Sequence, residues 1–176
     1  HRLVYVHPDA GFVRLARVSD EVGGFLNPAG LLGNGHAVFG GAFDMRHAEE
    51  IHNGMNRAHT FYRSCDPEGA PAADFGDKAG AEFFIRDLEG SGQDARPALF
   101  PVGKVPLATV SPSHLYFSDQ SSWEIEVSDP TGRLVRLIRM DWEPVGITPA
   151  DGDRFVEEMV AGIGNPEQAV QIRQYY

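Results

Sequence analysis

Short alternations of apolar and polar residues dominate this chain as far as Met140, and they come in pairs. Leu3-Val4-Tyr5-Val6 and Phe12-Val13-Arg14-Leu15 flank His7-Pro8-Asp9-Ala10-Gly11, and His59-Thr60-Phe61-Tyr62-Arg63 leads into Asp66-Pro67-Glu68-Gly69. Trp123–Ser128 and Leu134–Ile138 flank Asp129-Pro130-Thr131-Gly132. In the first strand of that last pair, Trp123, Ile125 and Val127 share one face and Glu124, Glu126 and Ser128 the other. A period of two predicts a half-buried strand with its apolar side inward. The Asp-Pro-x-Gly segments predict tight turns: Asp accepts downstream backbone N–H bonds, Pro presets φ, and Gly takes the left-handed position that realigns the strands.

A second kind of hairpin lies between these. Ala29-Gly30-Leu31-Leu32 and Ala37-Val38-Phe39 flank Asn34-Gly35, a strong hairpin signal, and Leu107–Val110 and Leu115–Phe117 flank Ser111-Pro112-Ser113-His114. The two kinds alternate, so the pattern predicts an internal repeat of four strands per unit. Gly11, Gly69 and Gly132 recur at about sixty residues, more than the ~40–50 of a simple four-stranded unit, so each unit carries an insertion. One spans Gly40 to Ala58; the other is the polar loop Asp87–Arg96.

Beyond Trp142-Glu143-Pro144 the pattern changes. Thr148-Pro149-Ala150-Asp151 reads as an N-cap, a first-turn proline and a capping acid, followed by Phe155, Val156, Met159, Val160 and Ile163 at helical spacing. Gly162-Ile163-Gly164 stops that helix, and Asn165-Pro166-Glu167-Gln168 starts a second. The chain therefore reads as a β part over residues 1–146, about two and a half four-strand units, and a helical segment over residues 147–176.

Composition narrows the functional classes. With 20 glycines and 12 prolines the chain is rich in turns, and 15 basic against 25 acidic residues give a net charge of −10. That balance speaks against nucleic-acid and anionic-lipid surfaces. No run approaches the ~18 apolar residues of a membrane span, so no transmembrane segment is expected. A single cysteine, Cys65, forms no internal disulfide. His1-Arg2-Leu3-Val4 carries neither an initiator Met nor a charged-then-apolar leader, and Gln171–Tyr176 stops inside a helical pattern. The expectation is a processed chain or part of a longer one.

Four-stranded units with a short apolar hairpin before an Asp-Pro-x-Gly hairpin resemble β-propeller blades. More narrowly, Trp123–Arg139, Gly80-Ala81-Glu82-Phe83-Phe84 and Glu143-Pro144 with the helices behind it resemble the NHL-like group of bacterial six-bladed β-propellers, found in secreted and envelope proteins. The resemblance implies an all-β fold: a partial β-propeller of four-stranded antiparallel blades with a C-terminal helical insert. Six blades need at least ~250 residues, so an open arc is expected, covered by a protein partner or by the remaining blades of a longer chain. The other arrangement the hairpins allow is a self-contained small β-sandwich.

No catalytic constellation is legible. His47-Ala48-Glu49-Glu50-Ile51-His52 places its histidines about 140° apart on a helix and on opposite faces of a strand, so neither geometry makes a two-ligand metal site. Asp151-Gly152-Asp153 lacks the other ligands of a calcium loop. The glycine clusters Gly33-Asn34-Gly35 and Gly162-Ile163-Gly164 are not phosphate loops. Arg133, Arg136 and Arg139 read as solubilising charges on an outer strand. The residues expected to touch a partner are Met45, Arg46, His47, Glu49, Glu50, Ile51, His52 and Met55, a mixed apolar and charged insertion. No catalytic residue, cofactor or metal is assigned. The expected function is a non-catalytic extracytoplasmic binding or scaffolding module, in the periplasm or cell envelope. Such a module would serve as a membrane-extrinsic accessory subunit of a larger envelope complex. The alternatives are a metal-dependent propeller hydrolase of lactonase or esterase type, and a ligand-binding sensor domain.

Overall fold

The structure, a computed structural model, describes residues 2–7, 9, 11–22, 26–41, 49–85, 98–99, 103–141, 143, 145–146 and 148–175. The chain divides into two units, His1–Asp141 and Trp142–Tyr176. The first contains β1 (Arg2–His7), β2 (Gly11–Arg17), a 3-10 turn (Asp20–Val22), β3 (Leu26–Leu31), β4 (Ala37–Gly41), β5 (Gly54–Cys65), β6 (Pro71–Ile85), β7 (Ala98–Leu99), β8 (Leu107–Val110), β9 (Leu115–Ser118), β10 (Glu124–Ser128) and β11 (Leu134–Arg139). These form three antiparallel sheets in chain order: β1-β2, then β3-β4-β5-β6-β7, then β8-β9-β10-β11. The mostly-β class with helices confined to the C-terminal segment is as the pattern predicts, and all five expected hairpins are present.

The turns close by the expected chemistry. Asp66 Oδ1 accepts the N–H groups of Glu68 and Ala70 at 3.0 and 2.8 Å, and the Gly69 N–H donates to the Asp66 carbonyl. Asp129 Oδ1 likewise accepts from the Thr131 N–H and hydroxyl and from the Arg133 N–H. The middle sheet departs from a four-strand unit in two ways. A fifth, two-residue strand pairs with Phe83 and Phe84 at its edge. The central hairpin β5–β6 runs 12 and 15 residues and carries three register shifts, which bend and twist it. The polar insertion Asp87–Arg96 lies outside the described residues.

Side chains alternate across β4 and β5 and build two cores on opposite faces of the middle sheet. Ala37, Phe39, Phe61 and Cys65 join Val18, Val22, Leu26 and the partly buried Leu3 on the side of the first hairpin. Val38, Tyr62 and Phe75 join Leu115 and Phe117 of the last sheet on the other. The middle sheet thus carries an apolar cluster on each face, built from alternate residues of β4 and β5. Three sheets stack; they do not close as a two-layer sandwich around a single interior.

Two turn glycines fix how closely the layers approach. Gly69 and Gly132 have φ of +91° and +89°. A Cβ at Gly69 would lie 2.1 Å from the Arg17 carbonyl oxygen, and one at Gly132 would lie 2.2 Å from that of Asp74. At the other hairpins, the Gly33 N–H donates to the Pro112 carbonyl at 2.6 Å, tying the middle sheet to the last.

In the second unit, α1 (Pro149–Ala161) begins with the predicted capping box, Thr148 and Asp151 each accepting from the other's backbone. Asn165 accepts from the Glu167 N–H at the start of α2 (Pro166–Tyr175), and Arg173 bridges back to Glu157 through two 2.8 Å contacts. The paired guanidinium holds the Glu157 carboxyl below its usual range.

Gly69→Ala and Gly132→Ala are each expected to cost about 2–4 kcal/mol in urea unfolding, combining left-handed strain with displacement of the neighbouring sheet. Gly76→Ala shares the positive φ, +84°, but meets no atom within 4 Å, so it should cost only about 1 kcal/mol. Equal losses at all three positions would show that the turn glycines do not set the layer spacing.

Candidate functional site

Of the residues expected to contact a partner, Met45, Arg46 and His47 lie outside the described residues. The structure distributes the others. Ile51 is half-buried against Ala58, Phe83 and Ile85 and serves as a plug for that small core. The His52 backbone is locked to the buried Asn56 side chain, which accepts the His52 N–H at 2.9 Å and donates to the carbonyls of His52 and Gly54. Glu50 faces His59 at 3.2 Å, while Glu49 and Met55 are exposed. The insertion is therefore folded down onto β5 at Ile51, and it presents no continuous apolar face among its described residues.

The apolar exposure lies elsewhere, at the two ends of the stack. Directly opposed residues of an antiparallel pair share a face. Glu126 opposes Phe117, and Phe117 packs on the middle sheet with its ring centroid 5.6 Å from that of Tyr62. Glu126 therefore also points at the middle sheet, where it pairs with Lys78; the Lys78 ammonium sits 5.5 Å from the Phe117 centroid. Trp123, Ile125 and Val127 consequently point away. Val127 is buried, but Trp123 is 50% exposed and Ile125 39%. This reverses the inward apolar side expected from the alternation of β10. The charged side is satisfied by an ion pair across the layers, and the apolar side is left at the end of the stack.

The same registers carry Ile138, Tyr116 and Leu107 onto that outward face, and the Met140 N–H bonds to the Trp123 carbonyl at its margin. Ile138 is 42% and Leu107 60% exposed. At the opposite end, Leu3 and Ala16 face the middle sheet while Val4 and Leu15, their neighbours in the β1–β2 register, face outward with Phe12 also exposed. Contiguous apolar surface of this kind marks interaction sites.

Polar groups between the last two sheets are committed to holding them together. Arg57 on β5 donates to the Gly80 carbonyl, to Ser121 Oγ and to the Asp119 carbonyl, and lies 3.4 Å from the Asp119 carboxylate. Burial raises the Asp119 pKa, but hydrogen bonds from Ser121 and the charges of Arg57 and Lys104 outweigh it and hold the carboxyl below its ordinary value. Near the first interface, a cavity of about 390 Å³ is lined by Glu21, Val22, Arg63, Ser64 and Asp74. Its guanidinium is occupied by Asp74 and by the carbonyls of Glu21 and Val22. Cys65 is fully buried, and desolvation first, then the Asp66 charge, push its thiol up, away from nucleophilic reactivity. Among the described residues no three His, Cys, Asp or Glu side chains are placed to hold a metal ion. Nor is any helix there long and apolar enough to cross a membrane.

Arg57→Met keeps the aliphatic stem but removes the clamp, and is expected to lower stability by about 1–3 kcal/mol in chemical denaturation. Because the folded pKa of Asp119 is depressed, its contribution is complete above the ordinary carboxylate range and is lost as pH falls through the folded value. The stability gap between the native chain and Asp119→Asn should therefore close in acid; a gap independent of pH would remove Asp119 from the clamp. No family model matches this chain, nor does any curated protein or solved structure, so its surface chemistry carries the functional argument.

Proposed function

We propose that this chain is a non-catalytic docking module, a partial β-propeller of the six-bladed NHL-like kind that works by binding another protein surface. The observation that carries the reading is the stack of three sheets whose end faces are both apolar and exposed. A sheet buries its apolar side against another layer in a stable fold. The first and last sheets each have one side so covered, and a further layer on either outward face would complete them. The repeated order of hairpins supports treating the last two sheets as successive blades. Its setting outside the cytoplasm, as a membrane-extrinsic accessory subunit of an envelope assembly, follows the sequence resemblance, and the acidic charge of −10 suits a protein partner over a nucleic acid.

A hydrophobic dye tests the reading on dilute native protein. The chain is expected to bind anilinonaphthalene sulfonate while still unfolding cooperatively, which separates a formed apolar face from a loosely packed state. Ile125→Lys with Ile138→Lys should lower that fluorescence to the part owed to Val4, Phe12 and Leu15 at the other end, without changing the β circular dichroism. Absence of dye binding by the native chain would overturn the reading, as would calcium or zinc retained in stoichiometric amount after dialysis, which would favour a metal-dependent hydrolase.

A further inference from the structure

β11 ends the last sheet among the described residues, and all six of its residues are exposed. Such an edge offers a row of backbone N–H and C=O groups to any extended chain, and folds usually blunt it. Other edges of this unit are blunted. β3 contains Pro28 and a register shift beside it, β1 is bulged between Tyr5 and Val6, and β7 is two residues long. β8 lies so close to β3 that a Cβ on Gly30 would meet the Val110 Cβ at 2.7 Å.

β11 has no proline, and its one register shift, at Ser128, lies beside the turn. From Arg136 to Arg139 the pairing is unbroken. The Met140 N–H donates to the Trp123 carbonyl at 2.9 Å, and successive residues of an antiparallel strand turn their backbone groups alternately to the partner and away. Met140, Ile138 and Arg136 therefore bond towards β10, and Leu137 and Arg139 turn their N–H and C=O to the open edge.

The charge of this edge is of one sign. Arg133 to Met140 holds three arginines and no acid, in a chain of net charge −10. Arg133 and Arg139 fold back onto Asp129 and Glu124 of their own hairpin. Arg136 makes no ion pair among the described residues and shares the outward face with Ile138, which is 42% exposed. A second copy, equally acidic overall, is repelled, whereas an acidic strand is drawn to this edge. We propose that the free edge of β11 receives an extended acidic segment of a partner protein as an added strand. The incoming segment pairs with the backbone of Leu137 and Arg139, and sets a carboxylate beside Arg136 and an aliphatic side chain beside Ile138. The inference rests on the docking-module reading and names the partner's chemistry.

Fluorescence polarisation with a labelled, capped peptide alternating Glu and Val tests this on the intact chain. The peptide should bind, and its Lys-for-Glu counterpart and a form N-methylated at alternate residues should each bind at least ~tenfold more weakly. Leu137→Pro removes an edge N–H but no bond to β10, so it should weaken the peptide by a similar factor and keep the β circular dichroism. Arg136→Glu should weaken the Glu-Val peptide and strengthen the Lys-Val one, which keeps the test decisive should the proline variant not fold. No binding of the Glu-Val peptide would overturn the inference. Equal binding of the N-methylated form would also overturn it, by showing charge attraction without strand pairing, and so would sedimentation showing native self-association that Leu137→Pro abolishes. Dye binding without peptide binding would sink the strand addition alone, whereas absence of dye binding would sink the docking-module reading beneath it.

Discussion

The approach of each turn glycine to the carbonyl of the preceding sheet is the constraint on which this fold depends. At 2.1 and 2.2 Å there is no room for a side-chain carbon beside the Arg17 or Asp74 oxygen. The hairpin tip therefore lies flat on its neighbour, and that contact sets the spacing at which Phe61, Cys65, Val22 and Leu26 meet on one side and Tyr62, Phe75 and Phe117 on the other. The Ser19 N–H bond to the Gly69 carbonyl at 2.8 Å reinforces the first seat. Apolar packing supplies most of the stabilisation, since it is the dominant favourable term in folding, but it is non-directional and does not choose a register. The glycine contact does, because it couples a backbone position on one sheet to a backbone position on the next.

Polar pairs then make each interface distinguishable. Arg14 with Glu68 is largely exposed and contributes little to stability, whereas Lys78 with Glu126 is half-buried beside an aromatic ring, and Arg57 is held by four groups on two sheets. A misregistered sheet would leave Lys78 or Arg57 desolvated and unpaired, which costs far more than the correct pair gains. These groups work as positional locks, and their commitment to structure is why the described residues between the sheets form no metal-binding cluster.

Much of this was legible in the sequence because turn and cap chemistry is local. Asp129-Pro130-Thr131-Gly132, Asn34-Gly35 and Thr148-Pro149-Ala150-Asp151 each act through bonds to residues no more than four positions away, so their geometry can be read from neighbours. The facing of β10 could not be read that way. Its alternation says only that two sides differ, and the side that turns inward was decided by Lys78, far away in the chain. Arg57 was missed for the same reason, since its partners at Asp119 and Ser121 lie beyond any local pattern. Charged neighbours in the chain mark Ile51 as a partner contact, whereas Phe83 and Ile85, across the long hairpin, give it a place to bury. Residue type alone groups Arg133, Arg136 and Arg139; register and ion pairing separate Arg136 from the other two, which bond within their own hairpin.

Cys65 occupies the position before its turn aspartate that Ser128 occupies in the last sheet, and both are buried where a sheet meets its predecessor. The thiol is sealed by Val18, Val22 and Leu26, residues that follow the first hairpin in the chain. It meets an alkylating reagent when Val18 and Val22 lift from the middle sheet, of which Leu26 is itself a part. Its rate of modification is therefore a clock for the opening of one seam, built into the molecule and needing no introduced label.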